Sequence, residues 1–137
     1  MFCDALASSD DEQNFVIHRA TYNFVMLNRF PYSSGHLMIA PNIHVSRLTA
    51  VDAAAAEEMM HLARMSESIL DKVYQPHGIN LGMNMGEAAG AGIAAHIHLH
   101  VLPRWTGDAN FMTTVCHTRV IPESLENTYR KLRGRFA

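Results

Sequence analysis

The sequence predicts an α+β fold in which an antiparallel sheet lies under one long helix. Three observations predict it. Patterned segments follow the order β-β-β-α-β-β-α, which suits an antiparallel sheet. A period of about 3.6 residues runs from about Val51 to Tyr74, and a strict two-residue alternation runs from Ile97 to Leu102.

The elements are justified in chain order. Residues 1–13, with Ser8, Ser9, Asp10, Asp11 and Glu12, read as a flexible lead-in to a single domain over 14–137. Asn14 to Arg19 and Tyr22 to Leu27 are strand-like, and the short Ala20-Thr21 link implies a hairpin. Asn28 to Gly35 is a loop by composition. His36 to Ala40 is a third strand stopped by Pro41, which cannot donate to a sheet ladder.

Within the long helix Ala55, Met59, Leu62, Ser66, Ile69 and Val73 share one face. Glu57, Glu58, Arg64, Glu67, Asp71 and Lys72 take the wet one. Thr49 and Asp52 resemble a capping box at its start, and Pro76 and Gly78 end it. Gly78 to Met85 and Ile97 to Leu102 read as strands four and five. A final helix runs from about Pro122 to Arg133, with proline in its first turn.

Composition narrows the function. The chain has 137 residues, 48% of them hydrophobic and 18% charged, which fits one folded domain and excludes a disordered chain. A net charge of -2 argues against a general DNA or RNA binder, which needs many cations on phosphates. No apolar run approaches the length of a membrane span, and Met1 to Ala5 carries no secretory pattern. A cytoplasmic protein with Cys3 and Cys116 as free thiols is expected. Histidine, with nine copies, is the unusual residue.

The run His96-Ile97-His98-Leu99-His100 places three imidazoles on one face of a strand and apolar residues on the other. Three readings compete. Histidine can fill the polar side of an amphipathic strand. It can ligate a metal, although alternate residues are ~6.6 Å apart and the outer two ~13 Å, so all three reach one ion only if the strand bends. It can also act as a covalent nucleophile, because a neutral imidazole is competent near pH 7 and its neighbours can donate to a phosphate.

The loop just upstream favours the last reading. Asn84 and Gly86 lead into Gly90-Ala91-Gly92, whose small residues let backbone N–H groups approach an anion. It is neither a Walker A loop nor a dinucleotide fingerprint.

At these residues the sequence resembles the histidine-triad (HIT) family. His96 to Leu102 looks like its His-φ-His-φ-His-φ-φ motif, with φ apolar. Asn28 to Pro41 is similar to its Asn…Gly-His segment, and Asn84 to Gly90 to its phosphate loop. Pro103 to Phe111 resembles the branch containing bacterial diadenosine tetraphosphate phosphorylases.

The resemblance implies a five-stranded antiparallel sheet with two helices, paired as a homodimer that continues the sheet. It implies that His98 attacks the α-phosphorus of a dinucleoside polyphosphate or related nucleotide, forming a nucleotidyl-histidine. Water would then release the mononucleotide; the alternative is phosphorolysis of diadenosine tetraphosphate. A further alternative, a nucleotide-binding module with little turnover, needs no nucleophile.

By the same resemblance His96 would orient His98, while His36 and His100 would contact the phosphate and leaving group. Asn28 would hold the ribose, Asn84, Gly90 and Gly92 the phosphate, and the strands near Phe24 and Met26 would floor the base pocket. No cofactor is expected as a requirement, although a divalent cation can accompany the nucleotide. Many relatives hold structural zinc through Cys-x-x-Cys and two histidines. Here Cys3, His44 and His96 would supply three ligands, so structural zinc is possible and not predicted. Relatives often carry Gln and Ser or Thr before the triad, where Gly92 and Ile93 stand here.

Overall fold

Two short runs, β2 (Asn23–Leu27) and β3 (Leu37–Pro41), are buried at every residue in the computed structural model, which describes residues 1–136. Runs without polar alternation need cover on both faces, and each run has it. With β1 (Val16–Arg19), β4 (Gly78–Met83) and β5 (Leu99–Arg104) they form one antiparallel sheet in the order β1-β2-β3-β5-β4. This is the five-stranded sheet the sequence implies.

One face carries the main core. Val25, Leu27, Leu37, Ile39, Leu99 and Val101 meet Met59, Leu62, Ala63, Ile69 and Leu70 from α2 (Ala53–Tyr74). Tyr129 and Leu132 from α4 (Leu125–Leu132) close its end. The opposite face is covered by α1 (Phe2–Ala7), whose Phe2 and Ala5 pack on Val16, Phe24, Met26, Met38 and Ala40.

That cover corrects the lead-in expected over residues 1–13. Six helical residues are too few to display a 3.6-residue period, so Phe2 and Ala5 gave no readable signal. The helix is held by Arg19, whose Nη2 donates to the carbonyls of Ala5 at 2.7 Å and Ser8 at 2.8 Å. Arg19 also pairs with Asp11 at 2.8 Å.

Two helices were expected, and four form. Besides α1, a single turn α3 (Phe111–Thr114) is capped by the side chain of Asn110. Helix α4 starts at its cap Ser124, whose Oγ accepts from the N–H of Asn127, rather than at Pro122. Asp52 is the N-cap of α2 without a side-chain bond, and Thr49 sits in a separate 3-10 turn, so the expected capping box is absent.

Glu58 does not belong to the wet face of α2. Its carboxylate accepts from the backbone N–H groups of Thr21, Tyr22 and Asn23 at 2.8–3.0 Å and from Asn23 Nδ2 at 2.9 Å. It thereby pins the β1–β2 hairpin to the helix.

The strand expected from Ile97 begins at Leu99. Ile97 donates instead to the carbonyl of Val45 at 2.7 Å, so His96 and His98 lie on an extended lead into β5. Gly35 turns the chain into β3 with φ +80°, and a Cβ there would stand 3.0 Å from Leu70 and from Tyr74. Only glycine fits both the backbone angle and the gap.

Candidate active site

The extended lead keeps the alternation although it is not a strand. Ile97, Leu99 and Val101 are buried, while the ring of Phe2 lies 5.0 Å from those of both His96 and His98. The rings of His98 and His100 are 4.7 Å apart. On the neighbouring β3, Met38 pairs with His100, which brings His36 next to it at 5.0 Å between rings.

The hydrogen bonds fix where each proton resides. His98 Nδ1 lies 2.9 Å from the carbonyl of His96, so Nδ1 carries the proton and Nε2 keeps its lone pair. His36 Nδ1 accepts from the N–H of Tyr32 at 3.1 Å, which puts its proton on Nε2. That N–H donates to His100 Nδ1 at 2.9 Å, which leaves His100 with its proton on Nε2. His96 Nε2 meets the carbonyl of Pro41 at 2.9 Å and donates to it, so its Nδ1 is unprotonated. The cluster thus presents a nucleophilic nitrogen on His98 and a donor on His100.

Burial keeps all four rings neutral at pH 7. It pushes His36 down to about 3, reinforced by the nearness of His100, His98 and Arg119. It pushes His100 down to about 4, with His98 contributing. His98 and His96 are lowered by burial as well, against the opposing pull of the carbonyls of His96 and Pro41.

A cleft of about 250 Å³ opens over this cluster and is lined by Asn28, Met38, Gly90, Gly92, His98 and His100, among others. Asn28 is anchored by accepting from the N–H of Phe30 at 2.9 Å and by its Nδ2 at 3.4 Å from His36. Gly90 adopts φ +84°, closing the 3-10 turn Glu87–Ala89. Asn84 does not line the cleft; its Nδ2 donates to the carbonyl of Gly90 at 3.4 Å and braces the loop from behind. Phe24 is absent from the cleft because Phe2 covers it, with rings 6.1 Å apart, while Met26 borders an adjoining cavity.

Residues of the cleft and of an adjoining cavity escaped the sequence reading. Phe30 and Tyr32 come from the loop before β3, where paired aromatics amid polar residues were a usable signal. Arg119, whose guanidinium lies 4.5 Å over the ring of Tyr32, comes from a segment without periodicity, so nothing marked it.

Cys3, His44 and His96 converge beside the cluster. Cys3 Sγ is 3.1 Å from His44 Nδ1 and 3.8 Å from His96 Nδ1, and all three donor atoms lie within 4.8 Å. Bonds of ~2.0–2.3 Å in a tetrahedral zinc site separate ligand atoms by similar amounts. The Nε2–H of His96 on the Pro41 carbonyl is the outer contact that a zinc-bound histidine makes. The three residues therefore fit a zinc ion with its fourth position open.

The sheet, the three imidazoles carried by the start of its fifth strand and the lead into it, and the glycine loop beside them define a class, and residues 9–107 match the HIT domain; the chain belongs to that family. A relative, the AP-4-A phosphorylase of Mycobacterium tuberculosis, is 39% identical over 93% of this chain. The chain spans 65% of that relative's length. The asymmetrical bis(5'-nucleosyl)-tetraphosphatase of Schizosaccharomyces pombe is 26% identical over 68% of this chain and 50% of its own. The crystal structure of a zinc-bound histidine triad family protein from Mycobacterium smegmatis superposes with a TM-score of 0.77 at 26% identity, covering 98% of this chain and 90% of that one. No helix among the described residues is long and apolar enough to cross a membrane.

Proposed function

We propose that the chain is an enzyme that cleaves a dinucleoside polyphosphate or related nucleotide at its α-phosphate, with His98 as covalent nucleophile. The observation that carries this reading is the 2.9 Å bond from His98 Nδ1 to the His96 carbonyl. It turns an unprotonated Nε2 toward a cleft bounded by Gly90 and Gly92.

In the first half-reaction Nε2 of His98 bonds to phosphorus as the bond from phosphorus to the leaving oxygen breaks. The Nε2–H of His100 donates to that oxygen, and the His36 bond holds His100 in the donating tautomer. Backbone N–H groups of the glycine loop face the phosphate charge, and Asn28 holds the ribose. In the second half-reaction water or inorganic phosphate attacks the nucleotidyl-histidine, and the phosphorus–nitrogen bond breaks. The likeness to the AP-4-A phosphorylase supports phosphate as that acceptor.

The working unit is a cytoplasmic homodimer that acts on small nucleotides, without nucleic acid or membrane as partner. The outer strand β4, exposed at Leu81, is available to continue the sheet. Zinc on Cys3, His44 and His96 is a structural addition to this reading and takes no part in the steps above.

The test is to quench a reaction with radiolabelled diadenosine tetraphosphate and map the label. Label on His98, and ADP formed only when phosphate is present, is the expected result. Turnover with no label on His98 and full activity of His98→Ala would end this reading.

A further inference from the structure

The catalytic cleft, at about 250 Å³, is smaller than the ~300–1,000 Å³ that encloses a complete small ligand. A substrate with two nucleosides must place a large part of itself outside it. Two other cavities share Tyr32 with the cleft. One, of about 280 Å³, is lined by Arg119. The other, of about 640 Å³, is bordered by Ser34, Tyr74, Trp105 and Asn127. Tyr32 lies at the junction, its ring 6.1 Å from that of His100, which is in turn 4.7 Å from His98.

Charge distinguishes the two. In the larger cavity every charged lining residue is already paired. Lys131 meets Glu123 at 2.5 Å, Asp108 meets Arg104 at 2.6 Å, and Glu123 also accepts from the hydroxyl of Tyr74 at 2.6 Å. What remains is aromatic and neutral. Tyr74 and Trp105 meet edge to face at 6.4 Å, and Asn127 adds an amide. Ser34 is 92% buried, and its Oγ has no partner among the described residues. Such a lining suits a flat, uncharged group that hydrogen-bonds at its edges. Arg119 is the opposite case, an exposed cation without an ion pair among the described residues, held over Tyr32.

We propose that the departing half of the substrate leaves the cleft past Tyr32, with its phosphates against Arg119 and its second nucleoside in the cavity between Tyr74, Trp105 and Ser34. This rests on the reading of the cleft as a dinucleoside polyphosphate site. It makes Arg119 and the larger cavity the determinants that separate a two-nucleoside substrate from a mononucleotide.

Trp105 is the single tryptophan of the chain, so its fluorescence reports on that cavity alone. His98→Ala protein, which does not consume the probe, is titrated with diadenosine tetraphosphate and separately with AMP. The tetraphosphate quenches Trp105 and AMP does not. Adding Arg119→Met raises the half-saturation concentration for the tetraphosphate about tenfold, the loss expected for one charge-assisted hydrogen bond. Arg119→Lys in the same background recovers part of it, which a folding defect would not allow. Wild-type turnover of the same tetraphosphate is measured alongside. Turnover without selective quenching overturns the second-nucleoside site and leaves the catalytic reading intact. Absence of turnover overturns the catalytic reading, and this proposal falls with it.

Discussion

The Nε2–H of His36 meets Nδ1 of His100 across 2.9 Å, and the direction of that bond is set by the backbone N–H of Tyr32 on the far side of His36. A buried imidazole and a half-buried one are thus joined through one proton in a single orientation, and neither can take up a further proton without breaking the line.

Acid should therefore weaken the fold through this pair. Both rings titrate near 6.5 when unfolded, but burial holds His36 at about 3, with His100, His98 and Arg119 adding to it, and burial holds His100 at about 4, with His98 adding to it. Between those values the unfolded chain binds more protons, so stability is full above pH 6.5 and falls as pH drops toward 3. Melting curves from pH 7 to 4 should show Tm falling. His36→Gln, which does not titrate, should flatten that fall whatever its offset at pH 7. An equally steep descent in the variant would mean that other groups control acid stability.

Gly35→Ala should harm both fold and site. An alanine at φ +80° costs about 1–2 kcal/mol, and crowding Leu70 and Tyr74 at 3.0 Å adds ~1–3 kcal/mol. The next residue is His36, so any shift that relieves the crowding moves the ring that orients His100. We expect Tm to fall by several degrees and kcat to fall more than the unfolded fraction explains. A variant with wild-type melting would show that the turn adapts freely.

These residues also mark how far the sequence could be read. The alternation through His96 to His100 and the 3.6-residue period of α2 are local, and each revealed its element, though not where it starts, because burial acts on side chains a few positions apart. The start of β5 at Leu99 was illegible, because Ile97 finds its hydrogen-bond partner in a loop residue, Val45. Phe2 and Arg119 were illegible for a related reason. Each acquires its role from a contact that bridges the chain, on Phe24 and on Tyr32, and neither sits in a pattern of its own. Glu58 looked like a solvated face residue because its partners, Thr21 to Asn23, lie more than thirty positions away.

Glu58→Gln tests that last contact. Burial alone would raise its carboxyl, but bonds from Asn23, Tyr22 and Thr21 win and hold it below the usual range. Glutamine keeps one acceptor and turns an NH₂ toward donors. The loss should be about 1–2 kcal/mol after discounting for partial exposure. Because the native carboxyl is lowered, its contribution exists above pH ~4.5 and disappears as pH falls through the folded value. Wild-type and variant stabilities, measured by urea unfolding, should therefore differ at pH 7 and converge as pH falls below the usual carboxylate range. A constant gap across that span of pH would trace the loss to packing and not to the charge.

Zinc should bind the trio of Cys3, His44 and His96 even though one protein ligand is missing for a closed site. Cys3 Sγ and the two Nδ1 atoms are already gathered within 4.8 Å, and the Pro41 carbonyl holds His96 in the tautomer that exposes Nδ1. Little reorganisation is needed, so the ion should stabilise the folded chain by about 2.7 kcal/mol at a hundred times its Kd. Calorimetric titration with zinc should give one site per chain, with a matching rise in Tm. Cys3→Ser removes the thiolate, the softest donor, and should weaken binding by more than tenfold. Equal affinity in that variant would place the ion elsewhere, and the approach of Cys3 to His44 and His96 would then be packing at the mouth of α1 alone.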